Sequence, residues 1–123
     1  MIIDKIRDVK EFSELYNSVD NSNIWELEEL LNYPNIFCFY SEITGKLLGC
    51  IYLERKNNKD FLSGFSRRKN LHNNIEAVKT ICNYFDFDMY SETPFKHAGY
   101  VLKKAGFKKT GNNLYIRRKA NGR

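Results

Sequence analysis

Residues 95–118 read FKHAGYVLKKAGFKKTGNNLYIRR, and three features of that stretch predict one local structure. Phe95, Ala98, Leu102 and Ala105 recur at helical spacing with Val101 beside them, which gives a helix one apolar face. Lys103 and Lys104 fall in its last turn, where the helix dipole favours positive charge. Gly106 then supplies the left-handed residue that stops a helix, and Phe107 can fold back over the final turn. After the turn-forming Thr110-Gly111-Asn112-Asn113, Leu114 and Ile116 alternate with Tyr115 and Arg117 as a half-buried strand does. The predicted unit is helix, abrupt stop, hairpin.

Upstream, Ile2 and Ile3 suit a short strand within residues 1–4. Asp8 with Glu11 is a capping-box pattern, and Phe12, Leu15, Tyr16 and Val19 mark the buried face of a first helix. Asn23 with Glu26 repeats the device ahead of Ile24, Leu27, Leu30 and Leu31, a second helix that must stop before Pro34. Trp25 is expected to anchor the edge of the core. From Ile36 three β segments, IFCFYS, LLGCIYLE and FLSGF, are joined by turns at Thr44-Gly45-Lys46 and near Asn57-Asn58-Lys59, an antiparallel meander.

SRRKNLHNN, residues 66–74, is polar, basic and without period. Asn73 with Glu76 predicts the start of a third helix bearing Ile75, Val78, Ile81, Cys82 and Phe85 on one face. A strand is expected from Phe87 to Tyr90, and a strand-helix-strand passage of this length implies a right-handed parallel crossover. The expected fold class is α/β, an α+β mixed sheet in the order β-α-α-β-β-β-α-β-α-β. One domain spans residues 1–118, and a basic tail occupies 119–123, with fraying expected from Arg117 onward.

The chain of 123 residues carries a net charge of +5, unevenly placed. Residues 1–62 hold 7 Lys+Arg against 11 Asp+Glu, and residues 63–123 hold 13 against 4. The basic second half implies an anionic partner: coenzyme A, nucleic acid or an acidic protein. Cys38, Cys50 and Cys82 lie in apolar segments and read as reduced core thiols, not disulfides or metal ligands. No apolar run approaches the roughly 20 residues of a membrane span, so the expectation is a cytoplasmic protein. The richness in Lys, Asn and Ile also suits an AT-rich source, a phage (then with a place in the virion) or a low-GC bacterium.

The element order, closing on Ala98, Leu102, Gly106 and Phe107 in the pattern A-x-x-x-L-x-x-x-G-F, resembles the GNAT superfamily of acetyl-CoA-dependent N-acetyltransferases. The resemblance implies that the strand Phe61–Phe65 splays from its neighbour and that the pantetheine arm of coenzyme A lies in the gap. It also implies that the loop at the third helix's N-terminus cradles the pyrophosphate through backbone N–H groups, as helix N-termini do for anions. The implied cofactor-binding residues are Phe65, Ser66, Arg67, Arg68, Lys69, Asn70, Leu71, His72 and Asn73.

The family loop reads Q/R-x-x-G-x-G/A. Here Arg68 in first place sets Leu71 and Asn73 at the small-residue positions, and Arg67 in first place sets Asn70 and His72 there. Side chains forced into glycine conformations would cost on the order of 1–3 kcal/mol each, or one to four decades of affinity for two. Arg67, Arg68 and Lys69 would offset this through charge-assisted contacts. The family's frequent Asn and general-acid Tyr correspond to Phe95 and Leu102, so no catalytic residue is assigned. These departures imply weak or no catalysis and a binding or structural role. The alternatives are an active enzyme moving acetyl from acetyl-CoA to an amine, and a nucleic-acid binder using Arg67, Arg68, Lys69, Lys103, Lys104, Lys108, Lys109, Arg117 and Arg118. Glu54 and Asp60 are candidate bases, and His72 and His97 lone histidines without metal spacing.

Overall fold

A computed structural model describes residues 1–119; residues 120–123 of the expected tail lie outside it. Seven strands form one sheet in the order β1-β2-β3-β4-β5-β7-β6. They are β1 (Ile2–Asp4), β2 (Ile36–Tyr40), β3 (Leu47–Lys56), β4 (Lys59–Ser66), β5 (Met89–Glu92), β6 (Lys108–Lys109) and β7 (Leu114–Arg117). The helices are α1 (Val9–Ser18), α2 (Leu27–Leu31), α3 (Leu71–Phe85) and α4 (Lys96–Lys104), with a 3-10 turn at Arg68–Asn70 before α3. The expected mixed α/β order is present, with the two-residue β6 as the first arm of the final hairpin.

Strand alternation divides the core between the two faces of the sheet. Cys38, Tyr40, Cys50, Tyr52 and Phe65 pack with Phe12, Leu15, Tyr16 and Leu30 of α1 and α2. Phe39, Ile51, Leu53, Leu62, Met89 and Tyr115 pack with Ala77, Val78, Ile81, Cys82, Val101 and Leu102 of α3 and α4. The layers are α/β/α. All three cysteines are free and buried, and burial pushes the Cys82 thiol up to about 11.

Local chemistry explains most boundaries. Asp8 caps α1 by accepting from the N–H groups of Lys10 and Glu11 at 2.9 and 3.3 Å, while the Glu11 carboxylate accepts from Leu47 N of β3 at 2.8 Å and ties helix to sheet. Asn57 and Asn58 both have positive φ, 52° and 61°, so β3 and β4 join by a two-residue turn of the mirror-image type that matches strand twist. At the end of α4, Gly106 N donates to Lys103 O at 3.1 Å and Phe107 N to Leu102 O at 2.9 Å. Those are the two bonds of a Schellman stop, with Gly106 at φ +101°.

Three boundaries differ from expectation. The second helix begins at Leu27, not after Asn23, because the tyrosines of the core hold the preceding segment extended: Trp25 N donates to Tyr52 Oη at 3.1 Å and Tyr16 Oη donates to Trp25 O at 2.8 Å. Trp25 itself packs between Tyr33 and Tyr52, ring centroids 4.8 and 5.1 Å away, as an edge anchor. The third helix begins at Leu71, two residues before the expected cap at Asn73, since the 3-10 turn nucleates it without a side-chain cap. The fifth strand is Met89–Glu92 and not Phe87–Tyr90. Asp86, left-handed at φ 47°, ends α3, and Phe87 packs against Phe85 at 5.5 Å in the connector.

Arg117 and Arg118, expected to fray, are held. Arg117 Nε donates to Ala105 O at 3.0 Å and its terminal nitrogen to Asn83 Oδ1 at 2.8 Å. The Arg118 guanidinium and Lys119 N both reach the Asp88 carboxylate at 3.0 Å, which holds that carboxyl below its ordinary value.

Candidate functional site

β4 and β5 run parallel but pair only at Asp60 with Met89 and Phe61 with Tyr90. One residue on, the buried Ser91 hydroxyl donates to Leu62 O at 2.8 Å. Beyond that point β4 continues to Ser66 against β3 alone, so its other edge is open. Gly64 lies on this open stretch, and a Cβ there would fall 2.3 Å from the Cys50 carbonyl oxygen of β3, so only glycine keeps this register.

The gap is a cleft of about 460 Å³. Its walls are the end of β4 (Ser63 to Ser66), Ser91 to Thr93 after the fork, the inner face of α4 (Ala98, Val101, Leu102) and Asn74 and Val78 of α3. Its far side meets the α1–α2 connection at Val19, Asp20 and Asn23. The floor is apolar and the rim polar, the usual make-up of a small-molecule site.

The residues implied as cofactor-binding are split by the structure. Phe65, Ser66 and Arg67 line the cleft, with the Phe65 ring turned to the opposite face against Phe12 and Tyr16 at 5.5 and 5.6 Å. Arg67 and Lys69 are exposed at the turn. Asn70 spends its amide on Leu48 O at 3.2 Å, pinning the turn to β3. Leu71, His72 and Asn73 form the first turn of α3 without lining the cleft, and Arg68 opens the 3-10 turn.

The strain expected of Leu71, Asn73, Asn70 and His72 does not arise. Among the described residues, the positive-φ residues other than glycine are Asn57, Asn58, Asp86 and Asn113, none of them in this turn. Winding as a 3-10 turn keeps every residue in an ordinary conformation and leaves the leading N–H groups of Arg68 and Lys69 without a helical acceptor.

Other residues emerge that the sequence did not mark. Asn74 donates to Arg67 O at 3.4 Å while its Oδ1 is buried at the cleft wall with no hydrogen-bond partner. Such an orphan acceptor is costly unless a ligand or water pairs it. The cleft carboxylates are Asp20 and Glu92. The Ser22 hydroxyl and N–H hold the Asp20 carboxyl below its ordinary value, and Glu92 lies 3.6 Å from the Lys56 ammonium. Glu54 and Asp60, offered as bases from sequence, lie away from the cleft toward the opposite end of the strands, with Asp60 bound to Arg55 at 2.8 Å. His97 lies on the cleft wall, its ring 5.8 Å from that of Phe95. His72 does not reach it. Leu102 is buried at 4% exposure, so an apolar side chain does stand where the resemblance places a general acid. Among the described residues no group of His, Cys, Asp and Glu is arranged to hold a metal ion, and no helix is long and apolar enough to cross a membrane.

No family model matches the chain, and no curated protein does. Among solved structures, the crystal structure of the acetyltransferase (GNAT family) from Bacillus anthracis is similar, with a TM-score of 0.61 at 12% identity over 89% of this chain and 86% of that one. The splayed parallel pair, the helices on both faces and the closing helix-stop-hairpin are thus a GNAT-like fold held by a very different sequence.

Proposed function

We propose that the protein binds acetyl-CoA in the cleft between β4 and β5 and transfers the acetyl group, slowly, to an amine. The observation that carries this reading is the cleft itself, open at about 460 Å³ where a scaffold that had lost its ligand would have collapsed or filled. The linear pantetheine arm bears amide groups that suit the unpaired β4 edge and Asn74 Oδ1. The Arg68 and Lys69 N–H groups, with Arg67 and Lys69 nearby, suit phosphate.

When bound, acetyl-CoA supplies a thioester carbonyl open to attack by a neutral amine. The chain's part is to position and desolvate it. The apolar floor of Leu62, Val78, Val101 and Leu102 excludes water from the reacting end. Asp20, already acidified by Ser22, suits holding a cationic acceptor more than removing its proton. As the C–N bond forms and the C–S bond breaks, the amine gives up one proton to solvent, and with Leu102 at the general-acid position the departing thiolate takes its proton from solvent, which forfeits roughly 10²–10⁴ in rate. A reading with binding and no turnover is favoured by that same side chain.

Calorimetric titration with acetyl-CoA, paired with thiol release in the presence of a panel of amines, tests the proposal. One-to-one binding at about 1 μM to 1 mM is expected, with turnover well below a typical median of about 10 per second. Absence of binding at millimolar acetyl-CoA would sink it.

A further inference from the structure

The stretch from Thr93 to Lys119 contains no Asp or Glu and eight Lys or Arg. The fold ties down the side chains of two of these and the backbone of a third. Arg117 bridges Ala105 and Asn83, and Arg118 and the backbone of Lys119 engage Asp88. Besides Lys119 at the end of the described chain, Lys96, Lys103, Lys104, Lys108 and Lys109 lie on α4 and β6, all exposed, and none of the five belongs to an ion pair among the described residues.

Their placement is not that of an ordinary solvated surface. Lys96, Tyr100, Lys103 and Lys104 stand at i, i+4, i+7 and i+8, one outward stripe along α4. The other two long helices mix signs, Lys10 with Glu14 on α1 and Glu76 with Lys79 on α3, as solvated helices do. In α4 no acidic residue dilutes the charge. Lys103 and Lys104 gain from the helix dipole, but Lys96 is the first residue of the helix, where that dipole opposes a cation. A positive charge there is locally unfavourable, and an anion laid along the stripe would reverse the sign of the effect.

Two aromatic contacts extend the face. The Lys104 ammonium lies 5.5 Å from the ring of Tyr100, which is 47% exposed, and the Lys109 ammonium 5.9 Å from the ring of Tyr115. Lys109 therefore projects on the α4 side of β6, the terminal strand of the sheet, and the exposed Lys108 adjoins it on the same edge strand. A nine-residue helix is about 14 Å long, the axial rise of about four base pairs at about 3.4 Å each.

We propose that the outer stripe of α4 together with β6 binds the phosphodiester backbone of nucleic acid, without base-sequence preference. The face is separate from the 3-10 turn beside the cleft, so the proposal stands apart from the acyl-transfer reading. Contacts are electrostatic, with Tyr100 available for stacking on an unpaired base.

Anisotropy of a labelled 20-bp DNA duplex, titrated with the full chain between about 50 and 200 mM salt, tests it. Five lysine contacts predict a slope of log affinity on log salt of about −4.5, and a dissociation constant of about 10⁻⁴–10⁻⁶ M near physiological salt. Lys103→Gln with Lys104→Gln should reduce the slope by about 2 and leave acetyl-CoA titration and circular dichroism unchanged. Arg67→Ala should leave duplex binding unchanged. The proposal is overturned if no complex forms by roughly 10⁻⁴ M at the lowest salt, if the lysine variant keeps the full slope, or if acetyl-CoA displaces the duplex. Equal binding of polyglutamate through the same lysines would assign the face to an acidic protein and overturn it too.

Discussion

The Ser91 hydroxyl donates to the Leu62 carbonyl at 2.8 Å, one residue past the last paired positions of β4 and β5. This bond marks the fork: a side chain satisfies the carbonyl at the point where the backbone ladder ends. Ser91→Ala leaves that buried acceptor unpaired and should cost about 1–3 kcal/mol of stability. A urea midpoint unchanged from the parent would show that water fills the gap and that Ser91 does not hold the fork.

Leu102 stands on the cleft wall, where the resemblance places a phenol. Leu102→Tyr should raise acetyl transfer by up to about 10² if the missing proton donor is what slows it. The larger ring in a buried site should also cost about 1–3 kcal/mol. Thiol-release rates at saturating acetyl-CoA check the first statement; no gain from a folded variant rejects the account of slow turnover.

Arg117 joins three elements through Ala105 at the end of α4, Asn83 on α3 and its own strand β7. Arg117→Lys loses the forked geometry and cannot reach both acceptors, so about 1–2 kcal/mol of stability should go. Duplex binding should keep its slope, because the substitution conserves the charge and Arg117 is turned toward Ala105 and Asn83, not onto the α4–β6 face. In Arg117→Gln, by contrast, a slope reduced by about one would place Arg117 on the binding face.

The Asp88 carboxyl is held below its ordinary 3.8 by the Lys119 N–H and then by Arg118. A lowered folded value means that its stabilising effect is complete above the unfolded value and is lost as pH falls through the folded one. The protection of residues 116–119 against hydrogen exchange, taken relative to the intrinsic amide rates, should therefore fall below about pH 4. In Asp88→Asn that protection should be low at all pH values; equal protection in that variant would show the contact to be idle.

Cys82 moves the opposite way, up to about 11 by burial. The thiol resists ionising in the folded protein, so its contribution is complete below the unfolded value of about 9 and is lost as pH rises from there toward 11. Native protein should react negligibly with a thiol reagent at pH 8, and all three cysteines should react once unfolded. Fast labelling of any one in the native state would mean that the core around it opens.

The sequence by itself determined what depends on neighbours along the chain. The periodicity of Phe12, Leu15 and Tyr16, the Asp8 cap, the Asn57-Asn58 turn and the Gly106 stop each act within a few residues, and each lies where the pattern puts it. The closing helix and hairpin, read outward, also carried the resemblance to the fold now seen. Tertiary structure decided whatever rests on partners far away in sequence. Tyr52, Tyr16 and Trp25 override the Asn23 cap, because buried hydroxyls and the backbone groups they bond leave no donor to form a helical turn. The fork at Ser91 and Leu62 joins residues 29 positions apart, so no local pattern announces it. The orphan Asn74 acceptor, the unstrained 3-10 turn and the split between committed arginines and free lysines are likewise set by packing. Charge and residue type are written in the chain, but which groups are free to act is fixed only when their competitors are brought within hydrogen-bonding distance.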